Sequence, residues 1–90
     1  MYSPKYHPDF IEKISEIKNK KSKENLLNKI SDIMETINTY GDKSFKNLRK
    51  PLQKFKRVHV NKSFVILFEI NNEKQIVCFR KYEHHDNIYK

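Results

Sequence analysis

Several residue types that define particular folds and sites are scarce in this chain of 90 residues, which has one cysteine, one glycine, three prolines and no tryptophan. Because Cys78 is alone, no disulfide can form within the chain. No apolar run approaches the roughly 20 residues of a membrane-spanning helix. The first ten residues also lack the basic and apolar regions of a signal peptide. We therefore expect a cytoplasmic protein.

Acidic residues are outnumbered, because 19 Lys and Arg face 11 Asp and Glu, which gives a net charge of +8. Such a surplus attracts polyanions, either nucleic acid or an anionic membrane surface, and does not by itself choose between them. A chain of this length with 37% hydrophobic and 33% charged residues can bury one modest core. We expect a single domain over residues 1–90.

Apolar periodicity predicts two helices in the first half of the chain. Pro8 suits a first helical position, and apolar residues recur after it at helical spacing, which predicts a helix over residues 8–20. A longer apolar stripe predicts a second helix over residues 23–39, with Ser22 as its N-cap and Gly41 at its C-terminal end.

The second half has the alternation typical of strands, which we predict over residues 55–60, 63–70 and 75–82. In the first of these, valines alternate with Arg57 and His59, so the two polar side chains should share the face opposite the valines. Residues 2–6 could add a short fourth strand. The predicted fold class is α+β, with two N-terminal helices packed on one face of an antiparallel three- to four-stranded sheet. The other face is left for function or for a partner.

A basic segment precedes the first predicted strand of this meander. Residues 43–57 hold seven Lys or Arg and no acid, and two phenylalanines are interleaved with them. A solvated loop is one interpretation. RNA binding is the other, because Lys and Arg anchor phosphates and aromatic rings stack on unpaired bases. The candidate RNA-binding residues are Arg49, Lys50, Lys54 and Lys56, together with Arg80 of the last strand.

Three histidines lie where a meander can bring the chain together: His59 on one strand, and His84 and His85 after the last. Histidine accepts or donates a proton near neutral pH, and Arg57 can stabilise charge that develops on a phosphate. These parts suffice for RNA cleavage without a metal, although a structural role for a strand histidine stays open. We expect no metal site, because adjacent side chains point to opposite faces of a strand and no cysteine or spaced histidine completes a ligand set. His84 and His85 would need a turn to share an ion.

Three segments resemble the RelE/YafQ group of toxin–antitoxin ribonucleases, namely "HPDF", "FKRVHVNKSFVILFEI" and the C-terminal "HHDNIY". The resemblance covers nearly the whole chain and implies a helix-helix-sheet layout, cleavage of mRNA, often in the ribosomal A site, and neutralisation by a cognate antitoxin. It also implies catalytic roles for His59 and for His85 with Tyr89, which match histidines and an aromatic of YafQ-type toxins. His84 falls where many relatives carry a histidine. No cofactor and no membrane partner are implied, and the antitoxin is expected to be acidic.

The sequence departs from this group at three positions. Val65 stands where RelE-like members have an arginine, and Arg57 and Ser63 stand where YafQ-like members have acids. Arg57 is therefore a candidate to replace the missing arginine from the neighbouring strand. The same fold serves ParE-like toxins, which poison DNA gyrase and need no RNA-cleaving residues. A ParE-like gyrase inhibitor and a non-catalytic RNA-binding module stay open as alternatives.

Overall fold

The computed structural model describes residues 1–88. Two helices and four strands follow one another as β1 (Ser3–Tyr6), α1 (Pro8–Ser15), α2 (Lys20–Tyr40), β2 (Lys56–Val60), β3 (Phe64–Asn71) and β4 (Ile76–His84). The strands form one sheet in the order β1-β4-β3-β2. The predicted α+β class is confirmed, and so is the short strand near the N-terminus. Among the described residues, neither helix is long and apolar enough to cross a membrane.

The sheet is mixed, and the prediction of a wholly antiparallel sheet was wrong in this respect. Strands β2, β3 and β4 form the predicted antiparallel meander, but β1 pairs with β4 in parallel, with Ser3 opposite Ile76. A parallel pair requires a long crossover connection, and here both helices and two strands lie between the partners. This pairing joins segments about 70 residues apart, so local sequence patterns do not contain it.

Both helices exist as predicted, but the boundary between them differs. Helix α1 ends at Ser15 and α2 already begins at Lys20. The N-cap of α2 is Asn19 and not Ser22, because the Asn19 side-chain oxygen accepts a hydrogen bond from the Ser22 backbone N–H at 2.9 Å. Gly41 ends α2 as predicted, with a φ of 85° that favours glycine.

The helices cover one face of the sheet, here called the helix-side face, as the apolar periodicity predicted. The core joins buried residues of both helices to buried residues of three strands. These are Phe10, Leu26, Ile30, Ile33, Ile37, Val60, Ile66, Phe68, Val77, Phe79 and Tyr82. Each large apolar side chain that is fully buried contributes about 1.5–3 kcal/mol to folding. The opposite sheet face is called the outer face.

The turn between β2 and β3 is fastened to α2 by one side chain. Asn61 adopts a φ of 52°, which asparagine tolerates better than most residues. Its side-chain NH2 group donates to the Ser22 carbonyl oxygen at 2.9 Å and to the Tyr82 hydroxyl at 3.0 Å, while its oxygen accepts from Asn25 at 3.1 Å. These contacts fix the end of the sheet that also carries His59.

A second set of polar contacts joins the segment after α2 to the β3–β4 loop. The Asn72 amide donates to Asp42 Oδ2 at 2.7 Å and accepts from the Tyr2 hydroxyl at 2.7 Å. The hydrogen bond from Asn72 lowers the pKa of the Asp42 carboxyl below its usual value, and the nearby positive charge of Lys56 acts in the same direction.

Candidate functional site

The outer face presents two rows of residues that run across β2, β3 and β4. The rows are Arg57–Leu67–Lys81 and His59–Val65–Glu83. Arg57 and His59 are exposed, as predicted from the alternation with valines, whereas Val65 and Leu67 are buried. One strand separates His59 from Glu83, so their backbones lie roughly 10 Å apart. Arg57, His59 and Lys81 therefore surround an apolar floor. The Glu83 carboxylate lies 3.9 Å from the Lys13 ammonium of α1.

A cleft of about 350 Å³ opens on this face, between β4, the loop before β2 and the segment after β4. Leu67, Leu52 and Ile88 supply apolar lining, and Phe55 adds an aromatic ring. The polar lining residues are Arg80, Lys81, Glu83 and Asn87. An aromatic ring and a guanidinium beside an apolar floor form a surface on which a nucleobase can stack.

A β-bulge brings Arg80 to the cleft. The register between β3 and β4 shifts so that Arg80 is the extra residue and lies on the outer face next to Lys81. The Arg80 guanidinium approaches the Glu69 carboxylate at 3.5 Å and the Phe55 ring at 6.0 Å, and the Lys54 ammonium lies 5.1 Å from that ring. Two cations thus border one aromatic side chain.

His84 does not share the outer face, which corrects the prediction that the three histidines and Arg57 lie together. His84 is the last residue of β4 and pairs with Phe64, whose ring stacks on Tyr82 of the core. The imidazole meets Phe64 edge-on at 5.6 Å, on the helix-side face. Adjacent strand residues point to opposite faces, so Glu83 and His84 separate.

His85 begins a 3₁₀ turn that runs to Asn87. Its backbone N–H donates to the Ser63 carbonyl at 2.8 Å, which holds it beside the β2–β3 turn, at the same end of the sheet as His59. The imidazole stacks on that of His84, with ring centroids 4.7 Å apart. Tyr89 lies outside the described residues, so its predicted catalytic role stays a prediction.

The predicted RNA-binding cations do not all remain free. Arg49, Lys50 and Lys54 are exposed in the loop before β2. Lys56 is only 8% exposed, which corrects the prediction that its side chain is available to bind RNA. Its ammonium lies on the helix-side face and donates to the Phe45 carbonyl at 2.8 Å and to Asn47 Oδ1 at 2.7 Å, so it fastens the loop and cannot reach a phosphate on the outer face.

Lys81 is an outer-face residue that the sequence-based assignment missed, whereas Glu83 had been grouped with the histidines and Arg57. Both lie on the outer face because they flank Tyr82, which points into the core. The alternation of Lys81, Tyr82 and Glu83 was a signal that could have found Lys81. Their position opposite Arg57 and His59 depends on the β4 register, which the bulge shifts and which no local pattern contains.

No family model matches this sequence. Two curated proteins are similar to it. One, named "Putative toxin RelE4" and found in Methanocaldococcus jannaschii, is 41% identical over 80 residues, which cover 89% of this chain and 79% of that protein. An uncharacterized protein of Methanosarcina mazei is 43% identical over 72 residues, which cover 80% of this chain and 78% of its own length.

Solved structures share the fold at low sequence identity. The isolated Escherichia coli RelE toxin aligns with a TM-score of 0.68 and 13% identity, over 93% of this chain and 84% of that one. YafQ of E. coli aligns over the full length of both chains with a TM-score of 0.65 and 9% identity. YafQ in its complex with DinJ aligns with a TM-score of 0.63 and 12% identity, again over the full length of both chains.

Proposed function

The chain belongs to the RelE-type toxins of toxin–antitoxin systems, and from this premise we propose that it is an endoribonuclease that cleaves mRNA without a metal ion, as a single cytoplasmic domain. One observation carries the proposal. An exposed imidazole, His59, stands beside the exposed guanidinium of Arg57, and across β3 from them lie Lys81 and Glu83. This combination supplies a proton-transfer group and cations on one open face.

The reaction that fits these groups is attack of a ribose 2′-oxygen on the adjacent phosphorus. One histidine removes the 2′-hydroxyl proton, and a second proton donor protonates the 5′-oxygen as its bond to phosphorus breaks. The products are a 2′,3′-cyclic phosphate and a 5′-hydroxyl. We assign the two proton-transfer roles to His59 and His85, which lie at the same end of the sheet.

Arg57 and Lys81 would stabilise the negative charge that grows on the phosphate in the transition state. Arg57 thereby takes the part of the arginine that RelE-like members carry where this chain has Val65. His84, stacked on His85 at 4.7 Å, is proposed as a positioning residue. Tyr89 is proposed to contact the substrate near His85.

The cleft beside these residues would hold a nucleotide next to the cut phosphate. Phe55 offers a ring for base stacking, and Arg80 and Lys54 next to it offer charges for the backbone. Arg49 and Lys50 extend the positive surface along the loop. As the resemblance to RelE-type toxins implies, we propose that the ribosome presents the mRNA in its A site.

The partner that restrains this activity is proposed to be an acidic antitoxin. A groove of about 720 Å³ lies between β1, α1 and α2 on the helix side, and Ile11 and Leu27 in it are 55% and 51% exposed. An exposed apolar groove of this kind marks a protein-binding surface. The net charge of +8 favours an acidic segment that folds on the toxin.

The direct test is incubation of the purified chain with translating ribosomes and a defined mRNA, followed by mapping of the cleavage ends. We expect discrete cuts whose products carry 2′,3′-cyclic phosphates and which still form in EDTA with intact ribosomes. Naked mRNA in a parallel reaction measures how far cleavage depends on the ribosome.

A gyrase supercoiling assay run on the same protein separates the rival activities. Inhibition of supercoiling with uncut mRNA would replace the proposal by a ParE-like function. Binding of RNA with neither activity would identify a non-catalytic binding module.

A further inference from the structure

The end of β4 gathers three metal-binding side chains at one point. The strand stops at His84 and the chain enters a 3₁₀ turn at His85, so the two adjacent imidazoles do not point to opposite faces as they would in a continuing strand. Their rings stack with centroids 4.7 Å apart. Asp86 completes the group, and one ligand atom from each residue lies within 4.8 Å of the other two.

Two imidazole nitrogens and one carboxylate oxygen form a donor set that suits Zn²⁺ and related divalent transition metals. Donor atoms that share one zinc ion lie roughly 3.5 Å apart. His85 Nδ1 and Asp86 Oδ1 are already 3.0 Å apart, and His84 Nδ1 is 3.6 Å from the other carboxylate oxygen. The three side chains are 37%, 45% and 67% exposed, so rotation about their side-chain bonds can bring them together.

Coordination would give up one contact. His84 Nδ1 accepts the Asp86 backbone N–H at 3.2 Å. A neutral imidazole has one nitrogen with a free lone pair, so a metal on His84 displaces this hydrogen bond whichever nitrogen binds the ion. The bond is exposed and long, and its net contribution is small beside that of a metal–nitrogen bond.

From this geometry we infer that His84, His85 and Asp86 form a binding site for a divalent transition-metal ion, with Zn²⁺ as the fitting probe. Three protein ligands leave a fourth position for water or a phosphate oxygen. One sequence-based argument against a metal was that His84 and His85 point to opposite faces of a strand, and the 3₁₀ turn at His85 removes it. The other was that no cysteine or spaced histidine completes a ligand set, and here Asp86 supplies the third ligand.

The site bears on regulation, and this part rests on the proposed function. A metal ion on His85 occupies the lone pair that proton transfer requires, so the metal-loaded protein cannot use His85 as acid or base. Zinc should therefore inhibit mRNA cleavage, and a chelator should restore it.

The chain contains a matched control for the binding site. His7 repeats the arrangement of His84, because its Nδ1 accepts the Asp9 backbone N–H at 3.1 Å and lies 3.7 Å from Asp9 Oδ2. Pro8 stands where the second imidazole would be, so His7 offers one nitrogen and one carboxylate only. His7→Ala should leave zinc affinity unchanged.

The test is calorimetric titration of Zn²⁺ into the full chain without a histidine tag, supported by the visible absorption of bound Co²⁺. We expect saturable binding of one ion per chain, with an affinity at least about tenfold lower in His84→Ala or His85→Ala. Removal of even the groups that orient a metal ligand typically lowers metal affinity by 10–100-fold. Absence of saturable binding, or equal affinity in His85→Ala and His7→Ala, would overturn the site.

Cleavage by the metal-free and the zinc-saturated protein separates this inference from the proposed function. If neither form cuts mRNA while zinc binds as expected, the proposed function fails and the metal site stands. If both forms cut equally well, the inhibitory role fails and the nuclease stands.

Discussion

Lys54 and Lys56 lie two residues apart in the same basic segment, yet their ammonium groups have different surroundings. Lys54 is exposed beside Phe55, whereas Lys56 is buried and donates two hydrogen bonds inside the loop. The sequence offers no way to tell them apart by residue type. Their roles follow from strand alternation, because Lys56 begins β2 on the side of its valines.

We therefore predict that Lys56→Met lowers stability, whereas Lys54→Met weakens RNA binding. Lys56→Met leaves a carbonyl and an amide oxygen without their donor, which should lower the free energy of unfolding by about 1–3 kcal/mol. Lys54→Met should leave stability unchanged but weaken RNA binding and reduce the salt slope by about 0.7. Denaturant unfolding and binding at several salt concentrations measure both effects. An Lys56→Met protein of normal stability that binds RNA poorly would show that this ammonium reaches substrate.

Asn61 and Lys62 provide a second contrast at the scale of single residues. Both adopt positive φ angles, 52° and 63°, but asparagine tolerates this region better than lysine or alanine, so only Asn61→Ala adds backbone strain. Asn61→Ala also removes hydrogen bonds to Ser22, Tyr82 and Asn25, all partly buried. We expect Asn61→Ala to lower the unfolding free energy by about 1–3 kcal/mol more than Lys62→Ala. Equal losses in chemical denaturation would mean that the side-chain contacts add nothing.

At the scale of elements, the structure gives α2 a different N-cap from the one that the sequence predicts. Asn19 caps the helix, and Ser22, the cap predicted from sequence, lies inside the first turn. Asn19→Ala should therefore reduce stability by about 0.5–2 kcal/mol, a typical loss for a removed N-cap. Ser22→Ala retains the backbone groups that contact Asn19 and Asn61 and should have little effect. Thermal melts of the two variants test this prediction. A larger loss of stability in Ser22→Ala than in Asn19→Ala would show that Ser22 is the N-cap.

Elements encoded by local periodicity could be predicted, and elements that depend on distant pairing could not. The two helices, the meander and the placement of His59 opposite the valines all follow from spacing along a few residues. The parallel β1–β4 pair, the bulge at Arg80 and the 3₁₀ turn at His85 depend on contacts between distant segments or on how the strand ends. The two errors in the candidate site concern His84 and Lys56. Each was placed on the same face as residues near it in the sequence, and the structure places it on the other face.

At the scale of the whole molecule, the proposed catalytic surface and the apolar groove lie on opposite sides of the sheet. The groove is on the helix side, and His59 and Arg57 are on the outer face. A partner that filled the groove alone would leave the outer face open. We therefore expect an antitoxin that inhibits cleavage either to cover the basic face as well, for which an acidic segment is suited, or to displace the C-terminal tail.

The groove itself can be tested with one charge. Leu27→Glu places a carboxylate on the groove wall, where Leu27 is 51% exposed, and should weaken the complex with the antitoxin encoded next to this chain by at least about tenfold. Tyr40→Glu is the control, because Tyr40 is 77% exposed and lies outside the groove. Affinity is measured by calorimetry with folded variants. If both substitutions weaken binding equally, added charge and not the groove is responsible.

The central claim is that His59 transfers a proton on the outer face, and single-turnover cleavage of ribosome-bound mRNA by His59→Ala tests it most directly. The His59 side chain is exposed and makes no hydrogen bond within residues 1–88, so the variant should melt at the wild-type temperature. We predict a cleavage rate lower by about 10²–10⁴-fold at saturating protein, the usual contribution of a proton-transfer group. His7→Ala should cleave at the wild-type rate. A folded His59→Ala protein that cleaves as fast as the wild type would contradict the account.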